Sequence, residues 1–430
     1  MTRSPEGARW LVVLAALLVV GPVAAFGPAH GAAAEPAAGS PADPGVGAEA
    51  DLAPRALRAV DSVANATNQS NTLMPPANAD LREGFTRADV DVAGATEFSA
   101  ERLQGRFERG SFERAWPGRS ESAQRRLVET ELSVVRTRVD RLETRYQSAL
   151  ADYQDGRISA STFLRRVSLV QVKATQLSQQ LDRVGEQLSS STGPPYITAY
   201  QTPLDNTRSR LNPLRNPVGD VVNRSLAGTH APTDVYLLLG PESYVMATSV
   251  DGEFSRVAHV TENRIAAGSD RFEETGDPIV AALNRFRTLY SWAFANTIQT
   301  PSINRFGNTS IYRVAVGHSL GELTTYADGR TEQVFHEIQM LRQETLPVAS
   351  TVQNETAALV LTVNATGPTR PMRIELDQAG TGAPLDGVVR VDGTVVGTTG
   401  DSGTLWTVQP SGQFTVNVSV DTDSVAVTGP

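Results

Sequence analysis

The run Gly317-His318-Ser319-Leu320-Gly321 has the spacing of a nucleophile elbow, G-x-S-x-G. That chemistry needs the serine at a sharp strand-to-helix turn beside an oxyanion hole, with an acid and then a histidine later in the chain. Here Glu322-Leu323-Thr324-Thr325-Tyr326 favours a strand, and Asp328-Gly329 closes it as a turn. His336 is the only histidine after Ser319 and falls within the same small unit. The run therefore reads as a hairpin turn built from small residues, with a serine hydrolase using Ser319 as the alternative.

The other reactive side chains are sparse. None of the histidines, His30, His230, His259, His318 and His336, is spaced as H-x-x-x-H or H-E-x-x-H, the metal-binding helical patterns. His259 and His336 each follow an Asp-Gly turn at the same interval, so they occupy equivalent places in a weak repeat and read as structural. Asp392, Asp401, Asp421 and Asp423 could offer oxygens to calcium, but no twelve-residue calcium loop is present and they read as solvated turns. No catalytic residue, cofactor site or metal ligand is assigned, and neither an enzyme nor a cofactor is expected. Seven Asn-x-Ser/Thr sequons, at Asn65, Asn68, Asn223, Asn308, Asn354, Asn364 and Asn417, are candidate glycan acceptors after export.

The amino terminus sets the expected compartment. Arg3 and Arg9 precede an apolar run, Trp10–Val20, broken by Gly21-Pro22 and followed by small residues. These are the parts of a secretory signal, assigned to residues 1–34. An uncleaved segment would instead hold the protein at a membrane. Residues 35–84 are rich in Ala, Pro, Gly, Asn and Ser and read as a disordered tether. A net charge of −9 gives no general drive towards nucleic acid. Lys173 is the only lysine and cysteine is absent, so packing alone must hold the fold.

The elements predicted beyond the tether give a multidomain α+β chain. Residues 85–118 read as a short docking segment. Leu132, Val135, Val139, Leu142, Tyr146, Ala149 and Tyr153 alternate spacings of three and four, as do Phe163 through Leu188. This seven-residue period predicts an antiparallel coiled-coil hairpin over 119–192, turned at Gly156 and recapped at Ser159, with Ile158 and Phe163 forming a staple. Residues 193–345 read as an α+β domain of two helix-then-hairpin units, with one long helix over Pro278–Ala295. Residues 346–430 alternate apolar and polar positions between Gly and Asp turns and predict an antiparallel β-sandwich, Ig-like or transthyretin-like.

Three resemblances follow from these runs. Pro384-Leu385-Asp386-Gly387, Val391-Asp392-Gly393, Gly397-Thr398-Thr399-Gly400 and Gly403-Thr404-Leu405-Trp406 resemble carboxypeptidase regulatory-like (transthyretin-like) modules. That resemblance implies a non-catalytic sandwich on an exported protein. Tyr312–Glu337 is faintly similar to PepSY-type units, which implies modulation of an exported protease. The whole layout resembles uncharacterised exported proteins of halophilic archaea, which implies no activity. The expected role is a non-enzymatic interaction or structural protein, extracellular or at the cell surface. The hairpin or sandwich would contact an unidentified protein partner or a second copy of the chain.

Overall fold

The computed structural model describes residues 63–64, 68–77, 79–190 and 194–430. The signal-peptide reading, the tether up to residue 62 and Asn65 lie outside the described residues. The chain runs β1 (Val63–Ala64), β2 (Thr72–Leu73), β3 (Arg82–Ala88), then five helices. These are α1 (Val92–Ala115), α2 (Glu121–Gln154), α3 (Ala160–Ser190), α4 (Pro194–Leu211) and α5 (Pro217–Leu226). Next come β4 (Thr233–Gly240), β5 (Ser243–Val250), β6 (Glu253–Val260), α6 (Pro278–Leu289) and α7 (Ser291–Ala295). The sheet is completed by β7 (Ser302–Arg305), β8 (Ile311–His318), β9 (Gly321–Asp328) and β10 (Gln333–Arg342). This is the multidomain α+β chain expected from the sequence.

The expected hairpin turn forms as its residues dictate. Gly156 takes φ +72°, the left-handed geometry that ends a helix. Ser159 Oγ accepts the Thr162 N–H at 3.2 Å as the cap of α3, and Tyr153 stacks on Phe163 with ring centroids 5.1 Å apart. The repeat positions of both helices are buried. The pair is nevertheless not a free arm. Helix α3 also buries Leu164, Ser168, Gln171, Val172, Ser178 and Gln180, because α1, α2, α4 and α5 all pack on it. The docking segment holds a strand and a helix as its aromatic residues suggest, but the helix is long rather than short: α1 has 24 residues and is capped by Asp91 onto Gly94 N–H at 3.0 Å.

One eight-stranded antiparallel sheet, in the order β3-β4-β5-β6-β10-β9-β8-β7, forms the centre. The two expected units are each helix followed by a meander rather than a hairpin, three strands (β4–β6) in the first and four (β7–β10) in the second, joined where β6 pairs with β10. The single helix expected over Pro278–Ala295 breaks at Tyr290, whose φ −122° and ψ 46° leave the helical region. The first meander is covered on one face by α2, α3 and α5. The second is covered on the opposite face by α6 and α7. Fully burying Leu237, Met246 and Val257 under the helices contributes about 1.5–3 kcal/mol each.

The segment read as the end of the tether is corrected most sharply. Gln69, Ser70, Asn71, Thr72 and Leu73 are all buried, and β2 pairs with β1. Beyond the sheet, eight strands form two four-stranded layers around an apolar core. One layer joins β11 (Ser350–Glu355), β12 (Leu359–Ala365), β13 (Pro371–Gln378) and β16 (Thr404–Val408). The other joins β15 (Thr394–Thr398), β14 (Val388–Val391), β17 (Phe414–Val420) and β18 (Asp423–Gly429). The expected sandwich is present, with β11, β15 and β18 added to the predicted strands.

Candidate functional site

In antiparallel neighbours, directly paired residues project to the same face. The registers therefore align one row across the helical face of the sheet. From β3 to β7 it reads Arg82, Leu239, Tyr244, His259, His336, Tyr326, Arg313 and Asn304. Its centre is a palindrome, Tyr–His–His–Tyr, folded about the β6–β10 junction. Successive ring centroids lie 5.5 Å apart, and Tyr146 of α2 extends the row beyond Tyr244 at the same spacing. His259 Nδ1 and His336 Nδ1 face each other at 3.4 Å. Burial, and then the Arg264 cation, pushes His259 down to about 3. Burial, and then His259 itself, pushes His336 well below the ordinary histidine range. Both imidazoles are neutral at physiological pH.

The row passes from a closed half to an open one. Over β4–β6 the next row is Leu237, Met246 and Val257, all buried. Over β10–β7 it continues as Ile338, Thr324, Ala315 and Ser302, none of them fully buried. The cause is the opposite placement of α5 and α6. Among the described residues no helix lies flat on this half, and a cleft of 720 Å³ remains between it and Thr175 of α3, Gln201 and Asp205 of α4 and the start of α5. Tyr326 lies on the floor, 4 % exposed. Burial raises its phenol pKa, against the Arg313 and Arg215 cations beside it. Arg215 donates to Ser178 Oγ at 2.8 Å. Among the described residues neither arginine has a carboxylate within ion-pair reach.

The other face carries an ionised hub. Arg256 and Glu337, 1 % and 0 % exposed at their side chains, pair at 2.7 Å. Glu337 also accepts from Tyr290 Oη and the Leu73 N–H, both at 2.7 Å, and from Gln339 Nε2 at 3.0 Å. Arg256 donates to Leu73 O at 2.6 Å and to Thr369 Oγ1 at 3.0 Å. Burial lowers the Arg256 pKa and Glu337 opposes that shift. Beside it Arg370, pushed down to about 10 by burial and then by Arg256, donates to Gln69 Oε1 at 2.5 Å and to Ser70 O. Residues 69–74 are thus a polar strap fastened at once to the sheet, to the Leu289 carbonyl at the end of α6 through Asn71 Nδ2, and to the sandwich.

The residues singled out in the sequence fall as follows. Ser319 and Leu320 are the two central residues of the β8–β9 hairpin, where His318 pairs with Gly321. That is a tight strand-to-strand turn, not a strand-to-helix elbow. The Ser319 carbonyl accepts Arg342 Nη2 at 2.6 Å, and its N–H donates to Asn296 O at 3.1 Å. His336 pairs with Tyr326, five positions from the turn and so roughly 16 Å along the strand. His318 is buried against Trp292 on the strap face, and its Nδ1 accepts the Leu320 N–H at 3.3 Å. Asp392 and Asp421 take positive φ in tight turns, and Asp392 Oδ1 accepts the Thr415 N–H at 2.8 Å. Among the described residues no group of three His, Asp or Glu could hold a metal ion.

Of the sequons, Asn68, Asn308 and Asn354 are exposed and Asn417 is half-buried. Asn223 and Asn364 are buried at 5 % and 8 %, which corrects their reading as acceptors in the folded chain. Asn223 lies inside α5, and Asn364 donates to Glu375 Oε2 at 2.8 Å. Sequence reasoning passed over Arg256, Glu337, Arg215, Arg313 and Tyr326. A signal existed for the first two. Phe254, Arg256, Ala258 and Val260 share one strand phase, as do Glu337, Gln339 and Leu341, so each central strand carries a charge on an apolar face.

Three family models match consecutive stretches of the chain. A domain of unknown function, DUF7096, matches residues 8–231, just over half of the sequence. A family of unknown function, DUF7094, matches residues 235–347, which hold both meanders but not β3. An archaeal fibronectin-III type-like domain matches residues 350–427 and agrees with the two-layer sandwich there. No curated protein and no solved structure matches the chain significantly.

Proposed function

We propose that this chain, which belongs to the family defined by the DUF7096 domain, is an exported, non-enzymatic interaction scaffold that works outside the cytoplasm. The observation that carries the reading is the buried strap. Residues 69–74 follow the amino-terminal stretch directly and are locked between sheet and sandwich by Arg256, Glu337 and Arg370. Whatever precedes the strap is thereby joined to the interior of the body, as suits a protein held or delivered by its amino terminus. The signal-like run Trp10–Val20, the archaeal fibronectin-III type-like match and the composition poor in lysine support an archaeal, extracellular, high-salt setting. In molar salt the Debye length shrinks to roughly 3 Å. Contact-range pairing and burial, rather than long-range charge, then hold the body together. Asn68, Asn308, Asn354 and Asn417 are the glycan acceptors of this reading.

The test is cell fractionation with mass spectrometry of the mature amino terminus. The expected result is chain in the surface or medium fraction, beginning after about residue 34. Intact Met1 in the cytoplasmic fraction would overturn the proposal. Recovery in the membrane with Trp10–Phe26 retained would keep the scaffold reading and replace release with anchoring. Cross-linking at the cell surface is expected to trap a protein partner or a second copy.

A further inference from the structure

The open half of the sheet carries a second functional reading, independent of export. We infer that the cleft above Tyr326 is a binding site for a carboxylate- or sulfate-bearing saccharide. Three features of the cleft point to that ligand class.

The first is unspent positive charge at its floor. Arg313 follows Tyr326 in the cross-strand row, and Arg215 approaches the same phenol from the chain entering α5. A guanidinium presents a planar fork that matches a carboxylate or sulfate with two parallel hydrogen bonds. Of the carboxylates that share the cleft, Asp205 accepts Gln201 Nε2 at 2.9 Å and pairs with Arg208 at 3.3 Å, while Asp220 accepts Gln171 Nε2 at 2.7 Å and attracts Arg215 only from beyond ion-pair contact. Arg305 is also taken, paired with Glu273 at 2.6 Å on the other face. Arg215, bonded to Ser178 Oγ, and Arg313, bonded to Tyr326, each keep further guanidinium N–H groups for an incoming anion.

The second is the wall chemistry. Thr175, Gln201, Asn212 and Asn304 line the cleft with neutral donors and acceptors, suited to hydroxyl groups. Apolar lining is confined to Pro217, Phe306 and Ile338, so an apolar peptide side chain finds no deep anchor. The third is a flat apolar surface. Phe306 lies nearly parallel to Tyr326, with planes 13° apart and centroids 6.3 Å apart, and remains half-buried at the cleft. Such a ring suits the C–H face of a sugar. The volume of 720 Å³ is within the range of small-ligand sites, which run about 300–1,000 Å³.

The ligand follows from these parts: an acidic group on the arginines, hydroxyls on the amides, one ring face on Phe306. The experiment is isothermal titration calorimetry of the folded protein with four probes. They are a uronic-acid oligosaccharide, its carboxyl-reduced neutral counterpart, a sulfated oligosaccharide of matched length, and an acidic tetrapeptide. Binding of the uronate or the sulfated sugar is expected, weakened at least tenfold by carboxyl reduction; which of the two binds more tightly identifies the anion source. Arg215→Gln and Arg313→Gln are each expected to weaken binding at least tenfold, with unchanged circular dichroism. The carboxyl-reduced comparison uses only the unaltered protein, so it stands even where a variant misfolds. No binding of either acidic sugar, equal binding of the neutral sugar, or tighter binding of the peptide would overturn the inference. None of these outcomes bears on the scaffold reading, which fractionation decides.

Discussion

The two faces of the central sheet solve the same problem in opposite ways. Each places polar groups where neighbouring strands are apolar, at the β6–β10 junction. On the helical face the groups are His259 and His336, neutral and held against each other. On the strap face they are Arg256 and Glu337, ionised, and each bonded to several partners besides the other. The difference lies in the supply of partners. The strap, Tyr290 and Thr369 bring donors and acceptors to one face, whereas the helices bring mostly side chains such as Tyr146 and the apolar residues around it. A buried charge survives only with paired hydrogen bonds; without them the group gives up its charge.

The comparison is broken most forcefully on the ionised face. Glu337→Gln keeps the volume but strands the Arg256 cation, and is expected to cost about 3–5 kcal/mol in denaturant unfolding. The double variant Arg256→Met/Glu337→Leu is expected to recover much of that loss, because no charge remains buried. If the double variant is as unstable as Glu337→Gln, the charge pairing is not what the site depends on. Arg370→Met comes next. It leaves Gln69 Oε1 and Ser70 O without their donor, and about 1–3 kcal/mol should be lost. Protease cleavage within residues 69–74 should rise in step, since those groups hold the strap.

The neutral face is sharpened by pH. His259 titrates near 3 when folded and near its ordinary 6.5 when unfolded, so the unfolded chain binds the extra proton between those values. Stability from this histidine is complete above about pH 6.5 and is lost as pH falls towards 3, by about 1.4 kcal/mol per pH unit. His336 shifts in the same direction, and His318, lowered to about 4 by burial, adds a third contribution. Between pH 6.5 and 5 most carboxylates remain ionised; the exception is Asp234, raised by burial to about 6, whose protonation in the folded chain offsets part of the histidine loss and is common to both proteins compared. Unfolding free energies there should fall steeply for the native sequence and more shallowly for His259→Phe/His336→Phe. An unchanged slope in that variant would show that the pair is not the titrating element.

How much of this the sequence disclosed depended on how local each feature is. The α2–α3 hairpin was legible to its caps, because a seven-residue apolar period, Gly156 and Ser159 act within a few residues. The equivalence of His259 and His336 was also legible, since each follows an Asp-Gly turn at a fixed interval. Their contact was not: it needs β6 to pair with β10, joining residues 77 apart in the chain. The strap was invisible because Gln69, Ser70, Asn71 and Thr72 are buried through hydrogen bonds, and their composition is that of a flexible linker. The cleft was invisible for a topological reason. It exists only because α5 and α6 fall on opposite faces, a choice that leaves no mark on periodicity.

The smallest expected effect is at Ser319, and it tests whether motif spacing alone carries chemistry. A nucleophile elbow stores strain in a strand-to-helix turn and aims its hydroxyl at an oxyanion hole. Ser319 instead occupies a two-residue hairpin and is exposed, with its main chain bonded to Asn296 and Arg342. Gly321, at φ +153°, closes that hairpin where a Cβ would collide with the Met340 carbonyl oxygen, so the second glycine of the motif is explained by strand packing. Ser319→Ala should therefore shift stability by no more than about 0.5 kcal/mol, as for other surface changes. A fluorophosphonate probe should label the native protein and the variant equally weakly. Labelling that disappears in Ser319→Ala would mean that the hairpin activates its serine by some route other than His336, which lies too far along the strand to serve as its base.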